Sequence, residues 1–135
     1  MEQPGIRLGS DNAWVELARS EENNWRVTAD WCTCLTADFD VYLTHDEVVD
    51  FATRMLAHLR EPSGGGFSEA VTSSRVNPLS LTMEPVGNGF ASFAWLTPNG
   101  DDNVCHMQME MNPVDVSELV ELFETFHAAL AASQV

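Results

Sequence analysis

The side chains with the softest chemistry in this chain are Cys32, Cys34, Cys105 and His106. Thiolates and imidazole are the usual ligands of zinc, so these four would make a complete tetrahedral set. Their spacing argues against it. Structural zinc sites gather their ligands on short knuckles, whereas a C-x-C on a strand sends both sulfurs to one face without the turn that wraps a metal. The expectation is no metal and no cofactor, with the thiols in the core or half-exposed. Three cysteines leave one over in any disulfide scheme, which fits free thiols in a reducing compartment.

Nucleophilic catalysis needs a base placed beside the cysteine, and no local pattern of that kind surrounds any of the three. His45 falls at a predicted helix start, His58 near the end of the same helix where it offsets the dipole, and His127 on a second helix. The carboxylate pairs Asp38/Asp40, Asp46/Glu47 and Asp101/Asp102 invite a hydrolase or a hard-cation site. Asp46 and Glu47 belong to a helix N-terminus and Asp101-Asp102 to a hairpin turn, and neither EF-hand nor H-E-x-x-H spacing occurs. Gly64-Gly65-Gly66 is followed by no G-K-[ST] and reads as a linker. No catalytic residue is expected, and the chain reads as a binding protein rather than an enzyme.

Charge narrows the partner. The 135 residues hold 21 acidic and 6 basic side chains for a net charge of −15, and every basic one is an arginine. Such a field repels nucleic acid and anionic membrane surfaces and steers a basic protein towards it. Among four tryptophans, Trp14 and Trp95 fall where strand parity exposes an indole, and an exposed indole beside carboxylates is a natural interface anchor. The candidate binding residues are therefore Trp14, Trp95, Asp101, Asp102, His106 and Glu110.

The elements that must position them are legible from periodicity. Ile6–Leu8 and Ala13–Arg19 read as short strands, and Trp25, Val27, Ala29 and Trp31 alternate with polar residues as in a half-buried strand. Phe39–Leu43 is a further strand. Thr44-His45-Asp46-Glu47 has the form of a capping box, and Val48, Phe51, Ala52, Met55, Leu56 and Leu59 recur at helical spacing behind it. A meander should follow, with strands Phe67–Ser73, Leu79–Glu84, Phe90–Leu96 and Val104–Met111 and turns at Asn88-Gly89 and Pro98–Asp101. After Asn112-Pro113, Asp115 should cap a second helix whose stripe is Val116, Leu119, Val120, Phe123, Phe126, His127 and Leu130.

The expected architecture is a single α+β domain over residues 1–135: one twisted antiparallel β-sheet with two helices packed on one face. Met1–Gly5 has neither a basic nor an apolar leader region, so a cytoplasmic location is the expectation.

Four segments together carry a family resemblance: N-W-R-V at Asn24–Val27, D-V-Y-L-T-x-D-E at Asp40–Glu47 before an amphipathic helix, N-P-L-S-L-T-M-E-P at Asn77–Pro85, and the late strand with its C-terminal helix. In these the chain resembles small actinobacterial proteins of unknown function and, more distantly, WapI-type immunity proteins, which neutralise a toxin delivered between neighbouring cells. The likeness spans about Ile6 to Leu130 and includes no catalytic signature. It implies an immunity- or antitoxin-like protein that covers the basic cleft of a toxin. The alternative is a small-ligand-binding module, or one that self-associates as a homodimer through its sheet.

Overall fold

Trp25, Val27 and Ala29 are buried while Arg26 is exposed, so the strand around them has the half-buried character that its alternation predicts. The computed structural model describes residues 3–61, 64–73, 76–98 and 105–133. Its elements run β1 (Gly5–Gly9), β2 (Ala13–Glu21), β3 (Asn24–Trp31), β4 (Leu35–Tyr42), α1 (His45–Leu59), β5 (Phe67–Ala70), β6 (Leu79–Val86), β7 (Gly89–Leu96), β8 (Met107–Asp115) and α2 (Val116–Ser133). Four antiparallel strands followed by a helix thus occur twice in succession.

The expected single sheet does not form. The strands divide into two four-stranded sheets, β1-β2-β3-β4 and β5-β6-β7-β8, and two helices accompany them. β8 runs close to β1 and β2, and Asn112 Nδ2 donates to Ser10 Oγ at 3.2 Å, yet no backbone ladder joins these edges among the described residues. Each half is a meander in which strands consecutive in the chain pair with one another. No turn links β1 to β8, because they are the first and last strands of the chain. Alternation of apolar residues reports which face a side chain takes and carries nothing about which strand lies alongside.

Several boundaries also move. β4 starts at Leu35, ahead of the expected Phe39, and β5 ends at Ala70 rather than Ser73. The β6–β7 turn is Gly87-Asn88, since Val86 pairs with Gly89. β8 continues through Pro113, where a strand end was expected; the β7–β8 register slips between Phe90 and Ser92, opposite that proline. Among the described residues β8 has no ladder partner on its other side, so at this irregular edge the missing N–H of Pro113 costs little. The expected strand start at Val104 and most of the Pro98–Asp101 turn lie outside the described residues.

The first helix starts as its sequence requires. Thr44 caps α1: its hydroxyl accepts from the Glu47 amide at 3.2 Å, and Glu47 Oε1 accepts from the Thr44 amide at 2.9 Å. Glu47 Oε2 also accepts from the Thr72 hydroxyl, which ties the helix start to the segment after β5. Hydrogen bonds from Thr72 and from Thr44 outweigh partial burial and hold the Glu47 carboxyl below its ordinary value of 4.5.

Both helices bury their stripes in one continuous apolar cluster shared with both sheets. Phe51 of α1 meets Phe123 of α2 edge to face at 6.1 Å, and Phe126 of α2 meets Trp25 of β3 in the same way at 6.2 Å. From α1, His58 stacks on Phe67 of β5, and Arg54 and His58 both reach Glu69. The faces of the sheets turned from these contacts carry the exposed chemistry. No helix among the described residues is long and apolar enough to cross a membrane.

Candidate interaction site

β7 is the central strand that shapes the best-furnished of these faces. Ser92, Ala94 and Leu96 pair with Met83, Leu81 and Leu79 on the buried side, so Phe93 and Trp95 must point the other way. Both are half-buried. Trp95 stands between Ser80 of β6 and Gln108 of β8, and Phe93 between Thr82 and Glu110. The His106 imidazole, just before β8, lies flat on the Trp95 indole with ring centres 4.5 Å apart and planes within 6°. The result is an aromatic platform on an open sheet face with the exposed carboxylates of Glu110 and Glu84 beside it.

Three of the expected site residues, Trp95, His106 and Glu110, are therefore brought together on one face. Trp14 stands on the other sheet, on the outward side of β2, where the Arg7 guanidinium covers its ring at 3.9 Å from the centroid. Arg7 also lies 3.7 Å from Glu16, so this indole is half-buried under an arginine held by its own strand pair. Asp101 and Asp102 fall outside the described residues. Sequence reasoning missed Phe93, although the parity that exposes Trp95 exposes Phe93 as well.

Cys32, Cys34 and Cys105 are all exposed free thiols, more open than the core or half-exposed setting expected for them. Among the described residues no group of three or more histidine, cysteine or acidic side chains is placed to hold a metal, and C-x-C and Cys105-His106 do not converge. Cys32 and Thr33 instead form the tip of the β3–β4 hairpin with φ of 53° and 59°, closed by the Cys34 amide on the Trp31 carbonyl at 2.9 Å. Asp30 Oδ1 accepts from the Thr33 amide at 2.8 Å and steadies a conformation that a β-branched residue rarely takes.

Carboxylates dominate the rest of the outward surface. On the first sheet Arg26 donates to Asp38 at 2.7 Å; this hydrogen bond, set against slight desolvation, holds the Asp38 carboxyl below its ordinary range. On α2 Glu118, Glu121 and Glu124 are all exposed; Glu118 and Glu121 lie towards β1, whereas Glu124 pairs with Arg60 across the helix interface. Next to that pair a hollow of about 430 Å³ opens between the helices, with Leu56, Ala57 and Ala128 in its wall.

Compared with protein-family models, with curated proteins and with solved structures, the chain finds no match in any of the three.

Proposed function

We propose that the protein is a non-catalytic binding protein whose acidic surface receives a basic protein partner, and that the outer face of the second sheet is where the partner docks. The observation that carries this reading is the His106–Trp95 stack with Phe93 beside it, an aromatic platform flanked by Glu84 and Glu110. Large, stiff aromatic side chains lose little rotamer entropy on contact and are enriched where interfaces draw their binding energy. A net charge of −15 speeds the approach of a basic partner and turns away other acidic proteins. In its finer form the partner is a toxin domain whose basic cleft this surface fills, which is the immunity-like role.

The test is capture of partners from a lysate of the source cell by the tagged protein and by Trp95→Ala and Glu110→Arg variants, at low and at about 0.5 M salt. The expected result is one stoichiometric basic protein that the variants and the salt both lose. Equal capture by all three baits would remove the platform from the interface. A second reading, a small-ligand module, draws on the hollow between the helices, whose size suits a ligand of a few rings. A thermal-shift response to aromatic ligands that an Ala57→Trp plug abolishes would favour it.

A further inference from the structure

The edges of the two sheets are not equally protected. β1 is five residues long and lies against β8 and α2, and β5 is four residues long with its Ala70 carbonyl held by Arg54 Nη2 at 3.1 Å. β8 carries Pro113. Short length, covering elements and proline are the usual defences of an edge. Among the described residues β4 has none of them. Its eight residues contain no proline and no lysine, and they pair with β3 without a register shift from Asn24↔Tyr42 to Trp31↔Leu35.

The ladder fixes which backbone groups of β4 are free to pair. The Leu43 amide donates to the Asn23 carbonyl at 3.1 Å, so every second residue back along the strand, Val41, Phe39, Ala37 and Leu35, turns its N–H and C=O towards β3. Those of Thr36, Asp38, Asp40 and Tyr42 turn to the open side.

The side chains on the two faces of this edge differ in kind. On the inner face the apolar row runs on past the helices: Leu35 is 58% exposed and its cross-strand neighbour Trp31 is 38% exposed. On the outer face Asp38 and Asp40 are both exposed. Asp40 stands directly opposite Arg26, whose side chain bonds Asp38 instead. A strand added here meets carboxylates on one side and bare apolar surface on the other.

We propose that β4 is a second interaction surface, which takes an extended segment alternating basic and apolar residues from a basic protein as a fifth strand of the first sheet. Main-chain hydrogen bonds to Thr36, Asp38, Asp40 and Tyr42 provide the attachment. The alternation provides the selection: lysine or arginine beside Asp38 and Asp40, apolar side chains over Leu35 and Phe39. A second copy of the chain fits poorly. Antiparallel self-pairing about Phe39 with matched faces sets Asp38 opposite Asp40 twice, and the two protomers each carry −15. This surface is independent of the Trp95 platform, so Trp95→Ala leaves it intact.

The probe is a blocked peptide of about ten residues alternating lysine with valine, with a glutamate–valine peptide as control. It is added to the ¹⁵N-labelled full chain. The expected result is that the amides of Thr36, Asp38, Asp40 and Tyr42 exchange at least about tenfold more slowly with the lysine peptide, and that the control binds at least about tenfold more weakly. Asp40→Pro removes an outward amide that β3 does not use and should abolish the protection. If that variant does not fold, Asp40→Lys serves, and should weaken the lysine peptide while admitting the glutamate one. Absence of binding, or binding that leaves the four amides exchanging as before, overturns the proposal. So does a peptide-free dimer in which these amides are already protected, because the occupant is then a second copy.

Discussion

His106 and Trp95 are stacked face to face, 4.5 Å between ring centres, on the side of the second sheet that faces away from Phe67 and α1. Neither residue carries weight for the core. Trp95→Ala should therefore lower stability by no more than about 1 kcal/mol while removing capture of a basic partner. Urea unfolding of the variant alongside the capture experiment separates the two effects; a large loss of stability would make Trp95 a packing residue.

Trp25 presents the opposite case. It is fully buried and meets Phe126 at 6.2 Å across the interface of β3 with α2. Trp25→Ala should cost about 3–5 kcal/mol, from lost burial and the cavity left behind. Chemical denaturation followed by far-ultraviolet circular dichroism reads this directly.

How far these roles are legible in the sequence depends on the kind of information each needs. The burial of Trp25, the capping box at Thr44 and the stripe of α1 rest on local spacing, and the structure has them as expected. Strand parity likewise suffices to put Trp95 and Glu110 on one face. The division into two sheets was not legible, because the β1–β8 seam joins residues from opposite ends of the chain. The early start of β4 was lost for another reason: Leu35 and Ala37 do alternate with Thr36 and Asp38, but the sequence gives no sign that this apolar row lies open to solvent.

Glu47 links helix capping to pH. Its folded-state pKa is depressed, so its contribution to stability is fully present above about pH 4.5 and is lost as the pH falls through the lower folded value. Urea unfolding between about pH 7 and pH 3 should show that limb, and Glu47→Gln should flatten it. At neutral pH Thr44→Ala should cost about 1 kcal/mol, the usual worth of an N-cap.

Gly89 is a test of close approach. A Cβ there would lie 2.0 Å from the Val114 carbonyl oxygen and 2.8 Å from the Asp115 Cα, backbone on both counts. Gly89→Ala should destabilise the fold by about 1–3 kcal/mol by forcing β8 away from β7. An unchanged midpoint in thermal unfolding would show that the strand ends separate freely.

The surplus of negative charge makes one reagent act in two directions. Sodium chloride screens self-repulsion, so the melting temperature should rise with salt, and the same screening should weaken capture of a basic partner. Scanning calorimetry and capture over one salt series measure both. A melting temperature indifferent to salt would mean that the 15 unbalanced negative charges lie too far apart for their repulsion to burden the fold.

The seam between the first and last strands also sets an order of events during synthesis. Trp25 waits for Phe126, and Ser10 for Asn112, each about a hundred residues downstream. At usual rates of translation that interval is roughly 5–20 seconds. Until then the Trp25 indole lacks the α2 ring that packs against it in the folded chain. The newborn chain thus passes through a sticky adolescence in which holdase chaperones have a ready substrate, and its surplus of carboxylates helps to keep neighbouring nascent chains apart.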